Sequence, residues 1–363
     1  MRRTVVAWAI LVATLMLCAC SALAGRDGEA PAVSRDAATR RAREFQKGVA
    51  FTGYSKDSYV GAGARRSLRH LRAAGATWVE VLVVAYQRTM DSTTITYRSG
   101  RTPSDATLRG ILRYAHGLGL KVMLKPHVDP LAGDTPQEWW RGGIGHRFGR
   151  SDWAAWFSSY HSFIVHYARM AQDLGVEQFC VGCELNGTVT RESQWREVIA
   201  AVRAVYGGPL TYADVRNPGQ FDTIKWWDAV DIIGMDAYPT LSTRLRPTTT
   251  ALRRGWVRYV AELRALSVKW GKPVLITEIG CRSVRGAALR PWDWQRRGPV
   301  DLVVQQRWYA AALRELIRKD WLVGMYWWEW YAEHGDGGAH DSSFTPHRKP
   351  AEQVLRGWYA RGL

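Results

Sequence analysis

Residues 152–184 read DWAAWFSSYHSFIVHYARMAQDLGVEQFCVGCE, an amphipathic segment, a glycine and a short apolar run that ends on an acid. The segment Asp152 to Leu174 carries apolar residues at helical spacing, with Ser151 or Asp152 as its expected N-cap. Gly175 then stands where a left-handed residue closes a helix, as Gly119 does one unit earlier. The run EQFCVGCE from Glu177 is too short for a further helix and is expected to be a buried strand. Helix, glycine, strand and polar strand end is the grammar of parallel βα units.

The same grammar extends in both directions. Strand-like runs are KGVAFTG from Lys47, WVEVLVVAY from Trp78, LKVMLKPH from Leu120, EQFCVGCE, PLTYAD from Pro209, VDIIGMDAY from Val230, PVLITEIG from Pro273 and GMYWWEW from Gly324. Helical patterns lie between them at Ala64 to Ala74, Asp105 to Leu118, Asp152 to Leu174, Gln194 to Val205, Thr250 to Trp270 and Leu302 to Arg318. Eight strands over about 300 residues suit one (β/α)8 barrel better than a doubly wound sheet. The expected organisation is a leader over 1–24, a flexible linker over 25–46 and one barrel over 47–363. No short repeat supports a solenoid or propeller.

The N-terminus carries an address. Arg2 and Arg3 precede an apolar run from Val5 to Leu17, too short to be preferred as a permanent membrane span. Leu17-Cys18-Ala19-Cys20 has the form of a lipoprotein box with Cys20 acylated, which would attach the protein to a membrane. Ala22-Leu23-Ala24 has the form of an ordinary cleavage site. Both readings place the chain outside the cytoplasm, as a secreted, periplasmic or lipid-anchored protein.

Composition narrows the partners. The chain has 363 residues, 47% of them hydrophobic, and a formal net charge of +17, which would permit an anionic partner. Arginines dominate that charge and are scattered, so they read as a solvated face, and no nucleic-acid recognition motif is present. Only Cys180, Cys183 and Cys281 lie beyond the leader, which leaves no disulfide framework. In a regular strand Cys180 and Cys183 point to opposite faces, so C-x-x-C here reads as buried thiols rather than a redox or zinc pair.

In a barrel of this kind the chemistry gathers at the C-terminal strand ends. The polar candidates there are Tyr54, Gln87, Lys125 with His127, Glu184, Asp214, Asp236 with Tyr238, Glu278 and the aromatic cluster Tyr326 to Trp330. By two-residue alternation Glu184 shares a face with Cys180 and Gly182, and Glu278 with Val274 and Ile276; both acids are expected to point inward. Strands four and seven lie on different sides of the mouth, so the two carboxylates can face one another across a sugar. A glycosidic oxygen leaves poorly unless protonated, and its oxocarbenium-like transition state needs a carboxylate on the other face. Glu184 is therefore assigned as acid/base and Glu278 as nucleophile of a retaining hydrolase. The bland alternative, two rim acids salt-bridged to arginines, accounts less well for both positions at once.

The motifs GCELN around Glu184, ITEIG around Glu278 and GMYWWEW near the end resemble glycoside hydrolase family 113. FTGYSKDSY, KVMLKPHVD, WWDAVDIIGMDAY and TPHRKPAEQVLRGWY extend the resemblance over nearly all of residues 47 to 363. It implies a barrel with its acid/base on strand four and its nucleophile on strand seven, and endo-β-mannanase activity on β-1,4-mannan. It also implies that Tyr238 hydrogen-bonds Glu278 and that Trp328 is the platform under the scissile sugar. Many relatives in the wider clan carry Asn immediately before the acid/base, to contact the sugar 2-hydroxyl; here that position is Cys183. Asn186 or His127 is expected to supply the contact instead.

The remaining expectations are local. Tyr326, Trp328 and Trp330 share a strand face toward the cleft, with Trp327 turned to the helices. Most of the 19 Trp are core, whereas indoles at the cleft suit the CH-rich faces of pyranose rings. Tyr54, Lys125, His127, Asn186, Asp236, Tyr238, Trp328 and Trp330 are the expected substrate contacts. The loop EHGDGGAHD, with His334, Asp336, His340 and Asp341, matches no established ligand spacing, so no metal and no cofactor is expected. Competing functions are a β-glucanase using the same two acids and a carbohydrate-binding envelope protein with little chemistry.

Overall fold

The computed structural model describes residues 45–97, 100–133, 135, 138–333 and 335–361; the leader with Cys20, most of the linker and His334 lie outside them. Eight parallel strands close in sequence order into a barrel: β1 (Gln46–Thr52), β2 (Trp78–Gln87), β3 (Lys121–Pro130), β4 (Gln178–Cys183), β5 (Leu210–Asp214), β6 (Ile232–Ala237), β7 (Val274–Ile279) and β8 (Leu322–Tyr331). Around it lie α1 (Gly61–Ala73), α2 (Asp105–Gly117), α3 (Arg150–Asp173), α4 (Glu192–Arg203), α5 (Thr249–Trp270), α6 (Leu302–Leu316) and α7 (Pro350–Tyr359). Between β5 and β6 the only helical element is the 3-10 turn Trp227–Ala229. The fold is the (β/α)8 barrel. Among the described residues no helix is long and apolar enough to cross a membrane.

Local chemistry explains where the helices start and stop. Ser104, Thr248 and Asp301 cap α2, α5 and α6 by accepting from the backbone N–H three residues on. The N-cap of α3 is Gly149, not Ser151 or Asp152: Asp152 lies one turn inside and accepts from Gly149 N at 2.8 Å. The carboxylate still satisfies a helix-end donor, but from inside the first turn. Gly119 and Gly175 have φ of 72° and 63° and close their helices as expected.

Alternation along the strands divides the core in two. Outward residues and the inner helix faces form one large layer, which absorbs Trp156, Trp195, Trp226, Trp256 and Trp308. Inward residues Trp78, Met123, Ile232, Leu275, Val323 and Tyr326 plug the lower barrel. Tyr326 Oη donates to Gln46 Oε1 at 2.8 Å, and its ring lies against Gly48 on the neighbouring strand. A Cβ at Gly48 would stand 2.4 Å from that ring, and both sides are fully buried. Gly48→Ala is therefore expected to cost about 1–3 kcal/mol, read as a lower urea midpoint at unchanged slope. An unchanged midpoint would mean the plug yields where close packing says it cannot.

Alternation fails at the strand ends that matter. Cys180 and Cys183 of β4 pair with Thr211 and Ala213 of β5, three steps against two, so one extra residue enters β4. Met235 and Asp236 pair with Ile276 and Glu278, which puts an extra residue, Thr277, into β7. Val49 and Phe51 pair with Trp327 and Trp330, which puts one into β8. Each is a β-bulge, and each reverses the face of the residues beyond it.

The bulges correct several expectations. Cys180 and Cys183 cluster together with Ala213 inside the barrel rather than on opposite faces. Gly182 turns outward, toward Tyr212 and Trp195. Val274 and Ile276 also face the helix layer, and Glu278 points inward only because of the bulge at Thr277. Beyond its bulge β8 sends Trp330 outward, where Nε1 donates to Ser67 of α1 and the ring packs on His347. Trp330 is a core residue and not a substrate contact.

Candidate active site

The barrel mouth gathers side chains from strands all round the barrel. One carboxylate oxygen each of Glu184, Asp236 and Glu278 lie within 4.8 Å of one another. Glu184 follows β4 in a left-handed backbone conformation, φ 52°, uncommon for a residue with a side chain. That turn is held from both sides: Glu184 N donates to Ala213 O at 2.8 Å and Leu185 N to Tyr212 Oη at 3.0 Å.

Glu278 is buried and receives a donor on each oxygen. Lys125 Nζ lies 2.6 Å from Oε1, and Tyr238 Oη donates to Oε2 at 2.9 Å. Burial, then the negative charge of Glu278, pushes the Tyr238 phenol well above its ordinary range, so it remains an O–H donor. Lys125 is fully buried, with Asp236 at 3.3 Å and Glu80 at 3.5 Å as further partners. Burial alone would lower its pKa, but Asp236 and the other acids outweigh it and hold the ammonium charged. Lys125 was expected to touch sugar hydroxyls; with no exposed surface it serves the carboxylates from below instead. Burial pushes Glu80 and Asp236 well up, with Lys125 opposing in both. Asp236 accepts from Thr277 Oγ1 at 2.7 Å and is itself fully buried, so it too is a support rather than a sugar contact.

His127 is almost fully buried and lies parallel to the Trp328 ring, centroids 6.4 Å apart. Burial, then Arg141, drives its pKa well below the usual value, so the ring is neutral. Arg141 Nη1 donates to Nδ1 at 2.6 Å, which leaves the proton on Nε2. Among the described residues Nε2 has no hydrogen-bond partner, and it stands 4.0 Å from Glu278 Oε1. Arg141 also reaches Asp129 at 2.7 Å and the Cys183 sulfur at 3.2 Å. The buried Cys183 thiol faces Asp236 Oδ2 at 3.4 Å. Cys180, Cys183 and Cys281 are all free and buried.

Two further groups complete the mouth. Trp140, partly exposed on the loop after β3, donates Nε1 to Glu184 Oε2 at 3.1 Å. Glu329, beside Trp328, accepts from Tyr54 Oη at 2.7 Å and Thr52 Oγ1 at 2.9 Å, and burial pushes it up to about 7. The hydroxyl of Tyr54 is thus engaged, while its ring remains exposed. Asn186 donates its side-chain amide to Val215 O at 3.2 Å and its backbone N–H to Glu184 O at 2.9 Å, which tie it into the loop after β4. Asp341 is likewise structural, accepting from Lys349, Gly337 N and Ser343 N.

Sequence reasoning missed Glu80, Trp140, Arg141 and Glu329. Trp140 and Arg141 sit on a loop with no periodic signal, and the bulge in β8 hides Glu329. Glu80 alone was legible, as the one charge inside the apolar run WVEVLVVAY.

Geometrically the His127, Cys183 and Glu278 atoms, or the three carboxylates, could converge on a metal ion. An ion there would stand close to both Lys125 and Arg141, and the repulsion opposes it. Two opposed carboxylates, one with donors on both oxygens and one raised by burial and by its neighbour's charge, can do general acid and nucleophilic work on an acetal.

Comparison with known proteins points the same way. The description Glycoside Hydrolase Family 113 matches residues 49–349. A solved GH113 β-1,4-mannanase, in a complex structure, is 31% identical, covering 88% of this chain and 100% of its own, with a TM-score of 0.78. The GH113 β-mannanase AaManA from Alicyclobacillus acidocaldarius, in complex with ManMIm, is 32% identical over 87% of this chain and 97% of its own, also at 0.78. A β-D-glucuronidase for Dictyoglomus thermophilum shares the fold at 15% identity and a TM-score of 0.60, covering 88% of this chain and 51% of its own. None of the curated proteins compared matches.

Proposed function

The chain belongs to glycoside hydrolase family 113, a family of glycoside hydrolases, and from that premise we propose that it cleaves β-1,4-mannan or a related mannan with retention of configuration. The observation that carries the retaining mechanism is the approach of a Glu184 oxygen to within 4.8 Å of a Glu278 oxygen. A separation near 5 to 5.5 Å lets the second carboxylate attack carbon directly; roughly 6.5 to 9.5 Å would be needed to admit a water between them. Mannan as substrate rests on the solved mannanases that this chain is similar to.

In the first step a Glu278 oxygen bonds to the anomeric carbon as the glycosidic C–O bond breaks, and the proton of Glu184 passes to the departing oxygen. Lys125 and Tyr238 hold the attacking carboxylate in place. Burial, then the charge of Glu278, raises the Glu184 pKa, so the acid is protonated when the step needs it. Once Glu278 is an ester its charge is gone, the second of these causes disappears, and Glu184 becomes the base. It takes a proton from water, water attacks the same carbon, and the ester bond breaks to restore Glu278 and the β-configuration.

This proton traffic sets the pH profile. Cleavage of mannan falls on the alkaline side as Glu184 loses its proton, and the raised pKa places that limb above the ordinary carboxyl range near 4.3. Glu184→Gln removes the limb together with most of the activity. A profile of kcat/KM against pH checks this; a limb that persists in Glu184→Gln belongs to another group.

A β-glucanase using the same two carboxylates is the second reading, because Cys183 stands where much of the wider clan carries Asn to contact the 2-hydroxyl by which mannose differs from glucose. The test of substrate and mechanism is product analysis on mannan, glucomannan, cellulose and mixed-linkage glucan, with the first-formed anomer followed by NMR. The β-anomer released from mannan is the expected result. An α-anomer would overturn retention, cleavage of cellulose alone would favour the second reading, and binding without product would favour a carbohydrate-binding protein. The leader is proposed to export the enzyme, either acylated at Cys20 and held at a membrane or cut after Ala24 and released.

A further inference from the structure

The loop between β3 and α3 brings two adjacent side chains into the mouth. Arg141 takes His127 and Cys183, and Trp140 takes Glu184. Among the described residues the Trp140 indole is the only hydrogen-bond donor on the Glu184 carboxylate. The loop is built for that ring. A Cβ on Gly142 would stand 2.3 to 2.5 Å from three carbons of the Trp140 benzo ring, so only glycine lets the indole lie down on the backbone there. Gly187 N donates to Gly142 O at 3.0 Å, which locks this turn to the segment that carries Glu184. Yet Trp140 remains 41% exposed. A large aromatic ring fixed on one face and at its N–H, and open on the other, is a surface waiting for a flat apolar partner.

Its place relative to the reaction says which partner. Glu184 gives its proton to the oxygen of the departing sugar, so a ring hydrogen-bonded to Glu184 lies beside the leaving group. His127, with the Trp328 ring parallel to it, lies beside Glu278 and so beside the sugar that becomes esterified. Resting on the retaining mannanase reading, we propose that Trp140 forms the leaving-group subsite. Its N–H holds one Glu184 oxygen so that the other faces the glycosidic oxygen, and its open face stacks on the departing sugar ring. Arg141 and Trp140 together then tie substrate recognition on this side to the orientation of the acid.

The two roles separate by variant and by substrate. Trp140→Phe keeps a ring but removes the N–H; Trp140→Ala removes both. Mannohexaose needs a protonated leaving group and places sugars beyond the cleavage point. The 2,4-dinitrophenyl β-mannobioside needs neither, and its burst of dinitrophenolate reports glycosylation alone. For Trp140→Phe the kcat on mannohexaose should fall about 10- to 100-fold, the weight of one hydrogen bond to a group that becomes charged as its proton leaves, with KM little changed. Its burst rate on the aryl substrate should stay within about twofold of wild type. Trp140→Ala should add a rise of about three- to tenfold in KM for mannohexaose, again sparing the burst. An equal loss on both substrates would make Trp140 a structural residue, and wild-type kcat in Trp140→Phe would remove its hold on Glu184; either overturns the proposal. Wild-type enzyme that leaves mannohexaose intact would instead overturn the mannanase reading, and the subsite with it.

Discussion

In the Glu278→Gln variant, kcat on mannan is expected to fall by at least about 10⁴-fold, the scale on which removal of a nucleophile acts, while folding and oligosaccharide binding persist. The amide is nearly the same shape as the carboxylate and its surroundings can accept it. Its oxygen turns to the Lys125 ammonium and its NH2 to Tyr238, whose phenol oxygen can accept as well as donate. The variant loses the charge that must bond to the anomeric carbon. Thermal unfolding and calorimetric binding of mannohexaose distinguish this from misfolding. Azide sharpens the assignment: in Glu278→Ala it enters from the vacated side and yields the α-glycosyl azide, whereas in Glu184→Ala it attacks the glycosyl ester and yields the β-azide. The reverse pairing of products would exchange the two roles.

The second large effect is expected at Lys125. Among the described residues its ammonium is the one cation in contact with Glu80, Asp236 and Glu278, all of them buried. Lys125→Met leaves three carboxyl groups without it, and breaking a buried ion pair from one side costs about 3–5 kcal/mol. The loss should depend on pH in a stated direction. Without the ammonium the folded-state pKa values of Glu80 and Asp236, already raised by burial, rise further above their unfolded values. A carboxyl raised in the folded state stabilises fully below its unfolded pKa, and that stability is lost as pH rises through the folded value. The deficit of Lys125→Met should therefore be smaller near pH 5 than near pH 8, measured by urea unfolding. Replacing Glu80 as well, in Lys125→Met with Glu80→Leu, should recover part of it, since an apolar pair of similar volume tolerates burial. A variant as stable as wild type at pH 8 would show that the ammonium is dispensable to the fold.

Alternating runs and glycine-closed helices made the barrel legible in the chain itself, and the strand-end rule picked out Glu184, Glu278, Tyr238 and His127. The same alternation misjudged Trp330 and the Cys180–Cys183 pair, and it put Glu278 inside for the wrong reason, by grouping it with Val274 and Ile276, which face the helices. In each case a bulge intervenes, and an extra residue in a ladder is visible only against the neighbouring strand. Lys125 shows a different limit: its face was legible, its depth was not. Whether a lysine meets sugar or sits beneath the nucleophile depends on three acids from other strands.

The sequence alone therefore determined the features that lie within one strand or one helix: the eight βα units, their order, and the acids that end the fourth and seventh strands. Only the tertiary structure decided the features that lie between elements: the bulges that aim Glu278 and turn Trp330 away, the ammonium shared by three acids, and the loop that lays Trp140 against Glu184. The physical reason is range. Periodicity and capping act over a few residues of one chain segment, whereas bulge register and buried charge balance are settled by partners 40 to 153 residues away, which closing the barrel brings to within 3.1 Å.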